Sequence, residues 1–423
     1  MRREGTTTKW ILVFLLVSGL MVYCVPLRAA EKVTLTFWNG FTGPDRPAVE
    51  ALVEKFNETH PNIEVQMDIM PWDSLMQKLL SSMVVGREPD IAGVHFQYLP
   101  QFAKAGVIMP LDELYNVDGL DPAVFPPALI ELMKYGGRMY AVPMNFATLM
   151  LYYNKSLFRE AGLNPDNPPA NWAEWQEAII RLTQDKDSDG KIDQYGLALA
   201  DHETIPMWPI LVWGNGGDFV APDGKKSMLD DPKTVEAVEV WASLIIKHRI
   251  SPVGLTGAEA DKLFETQKAA MEMNGPWMTT GYTKAGIEYD VAPIPEGPAG
   301  RVTLADSVLM LLNSKTLRKD AAYEFFKFWN SKESQIYWAV NTGFPPARID
   351  LIDDPMLGEN PFVPKFAAAA PYARFYLPGL ENYAEIDTII MQAIQEATRG
   401  LKSAEEALKE AAAKMNAVLA KQR

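Results

Sequence analysis

The 423-residue chain has a single cysteine, Cys24, and four histidines, His60, His95, His202 and His248. One thiol cannot form an internal disulfide, and a Cys-based zinc site lacks its ligands. The histidines are widely separated and no H-E-x-x-H occurs, so the usual metal-hydrolase chemistry has little support. Basic charge is also short: 40 Lys and Arg stand against 54 Asp and Glu, a net charge of −14. Recognition of a phosphate backbone needs a basic face, which argues against nucleic acid as a partner. Glycine-rich phosphate motifs are missing too. The stretch from Gly217 to Lys226 has the wrong spacing for a phosphate loop and lacks the Ser/Thr that holds Mg²⁺. Gly214-Asn-Gly-Gly217 lacks the third glycine of a dinucleotide fingerprint, and there is no Gly-x-Ser-x-Gly elbow.

What is present describes a globular chain, 48% apolar and 22% charged. It is too hydrophobic for disorder and too polar overall for a polytopic membrane protein. The length suits two lobes or one large domain. Arg2, Arg3 and Lys9 precede the apolar stretch Trp10–Val25, the pattern of a secretory signal over residues 1–30. The stretch is shorter than the ~20 residues that span a bilayer comfortably, although an uncleaved anchor is an alternative. Lipidation of Cys24 is another, against which the bulky Tyr23 stands. Removing residues 1–30 takes away four positive charges and one negative, leaving about −17. The expected location is therefore beyond the cytoplasmic membrane, in a periplasm or at the cell surface.

Val33, Leu35 and Phe37 alternate with threonines, the period of a strand. Val49, Leu52, Val53 and Phe56 follow on one face of a helix, and Ile63 to Ile69 alternate again. A second helix through Leu75, Leu79 and Met83 leads to a strand over residues 90–94. Strands alternating with helices imply a parallel-rich sheet with ligands at the strands' carboxyl ends. The chain then looks set to cross between lobes near residues 140–145 and again near 274–276. Helices are expected from Trp172 to Thr183, Pro232 to Lys247 and Ala321 to Trp329. A final helix starts at the capping box Ser403–Glu406.

The 11 Trp and 15 Tyr form a large stock of amphipathic rings. Trp241 and Trp329 sit on helical stripes and belong to the core. Trp38, Trp72, Phe96, Trp208, Trp213, Trp277, Phe344 and Tyr376 lie at apparent strand ends and turns, most of them beside Gly, Pro or Asn, outside those stripes. With Asn39, Asp45, His95, Asn145, Asn274 and Asp306 between them, they offer what a sugar needs. Flat faces cover C–H surfaces, and polar groups bond hydroxyls. For any single ring, core packing is the competing role. Asp185, Asp187, Asp189 and Asp193, with the Lys191 carbonyl, match the first nine positions of an EF-hand-type loop, so a structural Ca²⁺ is a candidate. Gly196 stands where the bidentate Glu would be, and a solvated acidic turn is the alternative. A catalytic pair among the acids stays open, because no spacing identifies a glycosidase.

Several segments, in order, resemble the extracellular solute-binding proteins that serve ABC importers, in the branch with maltose- and glycerol-3-phosphate-binding proteins. They are Leu35-Thr-Phe-Trp-Asn39, Pro89-Asp-Ile91, Leu151-Tyr-Tyr-Asn-Lys155 with Ala161-Gly-Leu163, Pro169-Ala-Asn-Trp172, Trp208-Pro to Gly217, Asn274-Gly-Pro-Trp277, Asn341-Thr-Gly343 and Glu406-Ala-Leu408. The resemblance implies an α/β, periplasmic-binding-protein-like fold of type II, two lobes joined by a multi-segment hinge. One lobe would take residues 31–142 plus about 276–325, and the other 143–275 plus about 326–423. It implies a non-catalytic, monomeric sugar receptor that needs no cofactor and docks on membrane permease subunits. Trp277 would stack on the sugar, with Trp208 next. Asn39, Phe41, Asp45, His95 and Phe96 would come from first-lobe loops, and Trp72, Asn145, Asn274, Asp306, Phe344 and Tyr376 are further candidates. Phe146 and Ala147 stand where the phosphate-binding branch places serines, and Gly275-Pro276-Trp277 replaces its small residues. A neutral sugar is therefore favoured over a polyol phosphate, although Arg374 keeps the latter open.

Overall fold

The structure is a computed structural model, and it describes residues 32–116, 119–202 and 205–422. The expected signal and Cys24 lie outside the described residues. Leaving aside short helices and hairpins, the chain runs β1 (Val33–Asn39), α1 (Arg46–Thr59), β2 (Ile63–Ile69), α2 (Trp72–Val85), β3 (Ile91–His95), β4 (Ala141–Pro143), β5 (Ala147–Thr148) and β6 (Met150–Asn154). It continues through α3 (Trp172–Leu182), α4 (Trp208–Gly214), α5 (Pro232–His248), β7 (Met271–Asn274), α6 (Thr279–Lys284), β8 (Tyr289–Ala292), β9 (Thr303–Asp306) and β10 (Val308–Leu312). Last come α7 (Lys319–Trp329), α8 (Lys332–Thr342), β11 (Ala373–Phe375), α9 (Tyr383–Thr398) and α10 (Ala404–Leu419).

Local signals set the helix starts. Asn171 accepts from the Glu174 N–H at 3.1 Å and Asp231 from the Lys233 N–H at 2.9 Å, before Pro232 at the first turn. Ser403 accepts from the Glu406 N–H at 3.2 Å.

The first sheet has the order β2-β1-β3-β10-β4. Its β1–β2 and β1–β3 pairs are parallel, while β10 runs antiparallel to β3 and β4. The Phe325, Phe326 and Trp329 stripe of α7 is fully buried in this lobe, and Phe37 meets Phe325 edge-on at 5.7 Å. Burying each such ring stabilises by about 1.5–3 kcal/mol. Trp329 keeps its indole N–H satisfied, donating to the Met144 carbonyl at 2.9 Å. Asp90 of the Pro-Asp-Ile segment is structural. It accepts from the Thr36 N–H at 2.9 Å, the Thr316 hydroxyl at 2.5 Å and Arg318 at 3.1 Å. Burial pushes its carboxyl up, and these hydrogen bonds outweigh that to hold it below the usual range.

The second lobe is centred on the antiparallel sheet β7-β6-β8 under α3, α5, α9 and α10. A third sheet, β11-β9-β5, ties the lobes together. The first core collects buried residues from Leu35–Ala147 and Val308–Ala347; the second collects Leu149–Leu304 and Tyr376–Leu419.

The crossings therefore fall at residues 147–149, at 305–308 and along 347–376, which revises two of the expected boundaries. Residues 276–304 stay with the second lobe, because β7 and β8 flank β6 on both sides. Residues 326–347 stay with the first, because the α7 stripe and Trp338 fill its core. No lobe change occurs at Asn274–Pro276.

Candidate ligand-binding site

Parallel strands end together at one edge of the first lobe. The loop after β1 brings Asn39, Gly40 and Phe41; α2 opens on Trp72 after β2; β3 ends at His95, followed by Phe96, Gln97 and Tyr98. Trp72 lies flat against the backbone of Gly40, where a Cβ would sit 2.1 Å from the indole, so only glycine fits. The same indole is tilted on His95 at 4.4 Å and meets Phe41 edge-on at 5.5 Å. His95 Nδ1 is 2.9 Å from Asp306 Oδ2, at the end of β9 in the connecting sheet.

Asp45 is buried at the start of α1 without a side-chain cap bond, and burial pushes its carboxyl up to about 7. Its loop neighbour Pro44 abuts Gly281 of α6, where a Cβ would come 2.8 Å from the proline ring.

The second lobe and the hinge supply the opposite wall. Trp277 packs against all three main apolar clusters and so stands where the lobes meet. Its ring rests on Gly275, where a Cβ would lie 1.9 Å away, and faces Phe344 at 6.1 Å. Phe375 of β11 meets Phe96 edge-on at 5.2 Å. Tyr98 touches Tyr383 of α9 at 5.4 Å, across the lobes. Tyr376 packs on Phe219 at 5.2 Å and on Trp213 at 6.5 Å. Arg374 stacks on Trp213 at 4.5 Å and pairs with Asp218 at 2.6 Å, while the Trp213 N–H also donates to Asp218 at 3.0 Å.

Some polar atoms of this region are without partners. Asn39 Nδ2, Gln97 Oε1, Asp306 Oδ1, the Tyr376 hydroxyl and Asp387 Oδ1 are buried and complete no hydrogen bond, and the same holds for core atoms elsewhere such as Trp175 Nε1, Trp208 Nε1, Trp241 Nε1 and Gln194 Oε1. A buried orphan costs about 1–3 kcal/mol, and where several from both lobes face one region a ligand's hydroxyls are one way to satisfy them. Burial pushes Asp387 up to about 6, with the Tyr376 hydroxyl acting the other way. Those two side chains lie near each other without reaching hydrogen-bond geometry. Burial also pushes the Tyr383 phenol well up, reinforced by the charges of Asp387 and Asp306.

Of the residues expected at the site, Asn39, Phe41, Trp72, His95, Phe96, Asp306, Trp277, Phe344 and Tyr376 line this region or back its rings. Asp45 is in the adjoining loop. Three others are tied into the scaffold. Asn145 commits its Oδ1 to the Val308 N–H at 2.9 Å, fixing a crossing, and keeps its Nδ2 uncommitted. Asn274 is bound to Asp261 and the Gly275 N–H. Trp208, expected in a turn, opens α4 and is buried in the second core, and Trp213 lies on the same helix. Met207-Trp-Pro reads as a turn, but Pro209 is a first-turn helix residue. Gln97, Tyr98, Tyr383 and Asp387 were not singled out from the sequence. Gln97 and Tyr98 continue the loop after Phe96, and Tyr383 and Asp387 are one helical turn apart, so a signal existed for each.

In the acidic turn, oxygens of Asp185, Asp187 and Asp193 lie within 4.8 Å of one another. Asp189 does not join them. It accepts from the Lys191 N–H at 2.7 Å and pairs with the Lys191 ammonium at 3.0 Å. Gly190, at φ +87°, makes the sharp turn, and its carbonyl accepts from Arg249 at 2.7 Å.

Two lobes, a three-stranded connection and a cluster of rings where the lobes meet define a bilobal α/β protein. The family model for bacterial extracellular solute-binding proteins matches residues 42–336, and the chain belongs to that family. Among curated relatives, a Brucella abortus (strain 2308) protein named only as a binding protein is 29% identical, covering 96% of this chain and 98% of that one. The maltotriose-binding protein of Pyrococcus abyssi is 24% identical over 88% of this chain and 79% of its own. The sn-glycerol-3-phosphate-binding periplasmic protein of Rhizobium meliloti is 22% identical, over 96% and 98%. Among solved structures, a Thermotoga lettingae ABC transporter solute-binding protein bound to α-D-tagatose has a TM-score of 0.82 at 25% identity, covering 92% of this chain and 100% of that one. The maltose-bound MalE3 of T. maritima has a TM-score of 0.80 at 26% identity, over 90% and 99%. Among the described residues no helix is long and apolar enough to cross a membrane.

Proposed function

We propose that this protein is the extracytoplasmic receptor of an ABC importer for a neutral mono- or oligosaccharide. The observation that carries the reading is the set of buried, partnerless polar atoms on both lobes, set among the rings of Trp72, Trp277 and Tyr376. Sugar hydroxyls both donate and accept, so one ligand satisfies acceptors such as Asp306 Oδ1 and donors such as Asn39 Nδ2. Because these groups come from both lobes, binding favours the closed form, and closure is what a permease would read. The sugar ligands named for the relatives support this reading.

The polyol-phosphate alternative draws on the Rhizobium relative, but Arg374, the cation it would use, is held by Asp218 and stacked on Trp213. The protein is read as a monomer and as a binder without catalysis. Oligosaccharides incubated with it should come back unshortened.

A structural Ca²⁺ in the Asp185–Asp193 turn is part of the same proposal, supported by the three convergent carboxylates. The decisive experiment is thermal melting against maltose, maltotriose, tagatose, mannobiose and glycerol-3-phosphate. A ligand at 100 times its Kd adds about 2.7 kcal/mol of stability. A shift with glycerol-3-phosphate alone would overturn the sugar reading.

A further inference from the structure

Besides Trp277, the lobes meet at Tyr98, which packs against both main cores and touches the Tyr383 ring of α9 edge-on at 5.4 Å. Two residues before Tyr383, Glu381 reaches from the second lobe to the first and accepts at both carboxylate oxygens. The Lys104 ammonium donates to Oε2 at 2.5 Å, and the Tyr135 hydroxyl donates to Oε1 at 2.7 Å. The two donors belong to separate first-lobe elements, the short helix Leu99–Lys104 and the hairpin of Lys134–Tyr135 with Arg138–Met139. Among the described residues, Lys104–Glu381 is the one ion pair that joins residues 32–147 or 308–347 to residues 149–304 or 376–419.

Glu381 is firmly seated on its own side. Leu377, Leu380 and Tyr383 around it are buried in the second core. Leu377 holds φ +50°, a left-handed conformation that a leucine keeps only where its surroundings fix it. Tyr376 comes just before it, with its ring 6.3 Å from that of Tyr383. A pull on Glu381 is therefore felt by the wall that Tyr376 and Tyr383 form. The Glu381 side chain is 17% exposed against 54% for Lys104, so the carboxylate is sheltered while the lysine stays in water. An exposed ion pair alone contributes little, but a carboxylate bonded at both oxygens from two elements fixes one geometry.

We propose that Glu381 is a positioning residue for ligand binding: by accepting from Lys104 and Tyr135 it holds the lobes closed, with Tyr376 and Tyr383 set against the first-lobe loop Phe96–Tyr98. Opening the lobes parts these bonds and returns the groups to water, so the clasp favours the closed form and leaves it reversible. Apparent affinity scales with the fraction of molecules already in the competent form, so the clasp raises affinity without touching the ligand. Its use in binding rests on the reading of this cleft as a sugar site.

The test separates the two claims. Small-angle X-ray scattering reads lobe opening without any ligand, and titration with maltose reads affinity. Glu381→Ala and Lys104→Ala should each enlarge the radius of gyration of the ligand-free protein and raise the maltose Kd about fivefold. Tyr135→Phe should act in the same direction to a smaller degree. Exchanging the charges, Lys104→Glu with Glu381→Lys, should restore both readouts, which a merely structural loss would not allow. The wild type should also open as NaCl is raised, while Glu381→Ala stays unchanged, because salt screens a pair with one exposed partner. Equal radii in the wild type and both single variants, with and without maltose, overturn the proposal, and so does a charge exchange that restores nothing. Radii that follow the clasp while no sugar binds would uphold it and overturn the sugar reading alone. Should Glu381→Ala fail to fold, Lys104→Ala, at an exposed position, decides by the same criterion.

Discussion

His95 Nδ1 lies 2.9 Å from Asp306 Oδ2, joining the end of β3 to a strand 211 residues later that leads back into the first lobe. The contact spans the hinge sheet and the first-lobe loops, so one hydrogen bond orients the ring under Trp72 and helps set the lobe connection. Asp306→Ala removes the partner of a half-buried imidazole. Hydrogen bonds to charged groups contribute about 1.5–3 kcal/mol, so urea unfolding should show a loss of that order. Sugar affinity should fall with it. Unchanged stability and affinity together would show the contact to be idle.

Trp277→Ala should weaken sugar binding by about tenfold or more and leave the fold intact, as one lost ring contact predicts. Gly275→Ala offers an independent check, because its Cβ would collide with the same indole. In a Trp277→Ala background, Gly275→Ala should cost little further affinity. Calorimetric titration of the two single variants and the double variant closes the cycle.

Asp45 gives a pH prediction. Its carboxyl is pushed up to about 7 from an ordinary 3.8 by burial. Below about pH 4 the folded and unfolded states are both protonated, and there is no penalty. As pH rises toward 7 the unfolded chain releases the proton first, so stability falls, and it levels off above that. Three units at about 1.4 kcal/mol each give an upper limit of about 4 kcal/mol. Asp45→Asn should match the wild type near pH 4 and exceed it in melting temperature at pH 8. Equal melting at both pH values would contradict this.

The acidic turn is tested by metal. Calcium added to metal-free protein should raise the melting temperature, and Asp187→Ala should abolish the rise, because Asp187 is one of the three convergent carboxylates. Magnesium should do less, since this irregular site is poorly suited to its octahedral demand. No rise with calcium would leave Asp185–Asp193 as a solvated turn.

Much of the scaffold was legible in the sequence because its signals are local. The alternation of Val33, Leu35 and Phe37 became β1, and the stripe of Phe325, Phe326 and Trp329 became the buried face of α7. Asn171, Asp231 and Ser403 stop the preceding extended segments by capping the next turn. Gly40 and Gly275 are less obvious. Each reads as a generic loop glycine, and only the structure shows an indole lying against it. Site residues divided in the same way. Trp72, His95 and Trp277 sit where strand ends and turns placed them. Asn145 and Asn274 share the composition of ligand-binding residues, yet the Asn145 Oδ1 is committed to distant backbone and the Asn274 amide to Asp261.

The sequence by itself determined the order of strands and helices, the acidic aromatic-rich character and the family, since periodicity, caps and ordered motifs are properties of neighbouring residues. The tertiary structure decided which lobe each segment joins. Residues 276–304 and 326–347 exchange their expected lobes, because β7 and β8 pair with β6 from more than a hundred residues away while α7 and Trp338 fill the first core. It also decided which polar atoms are left without partners. Whether Asp306 or Asn145 has an atom to offer a ligand depends on what folding brings within about 3 Å of it, and no local pattern encodes that distance.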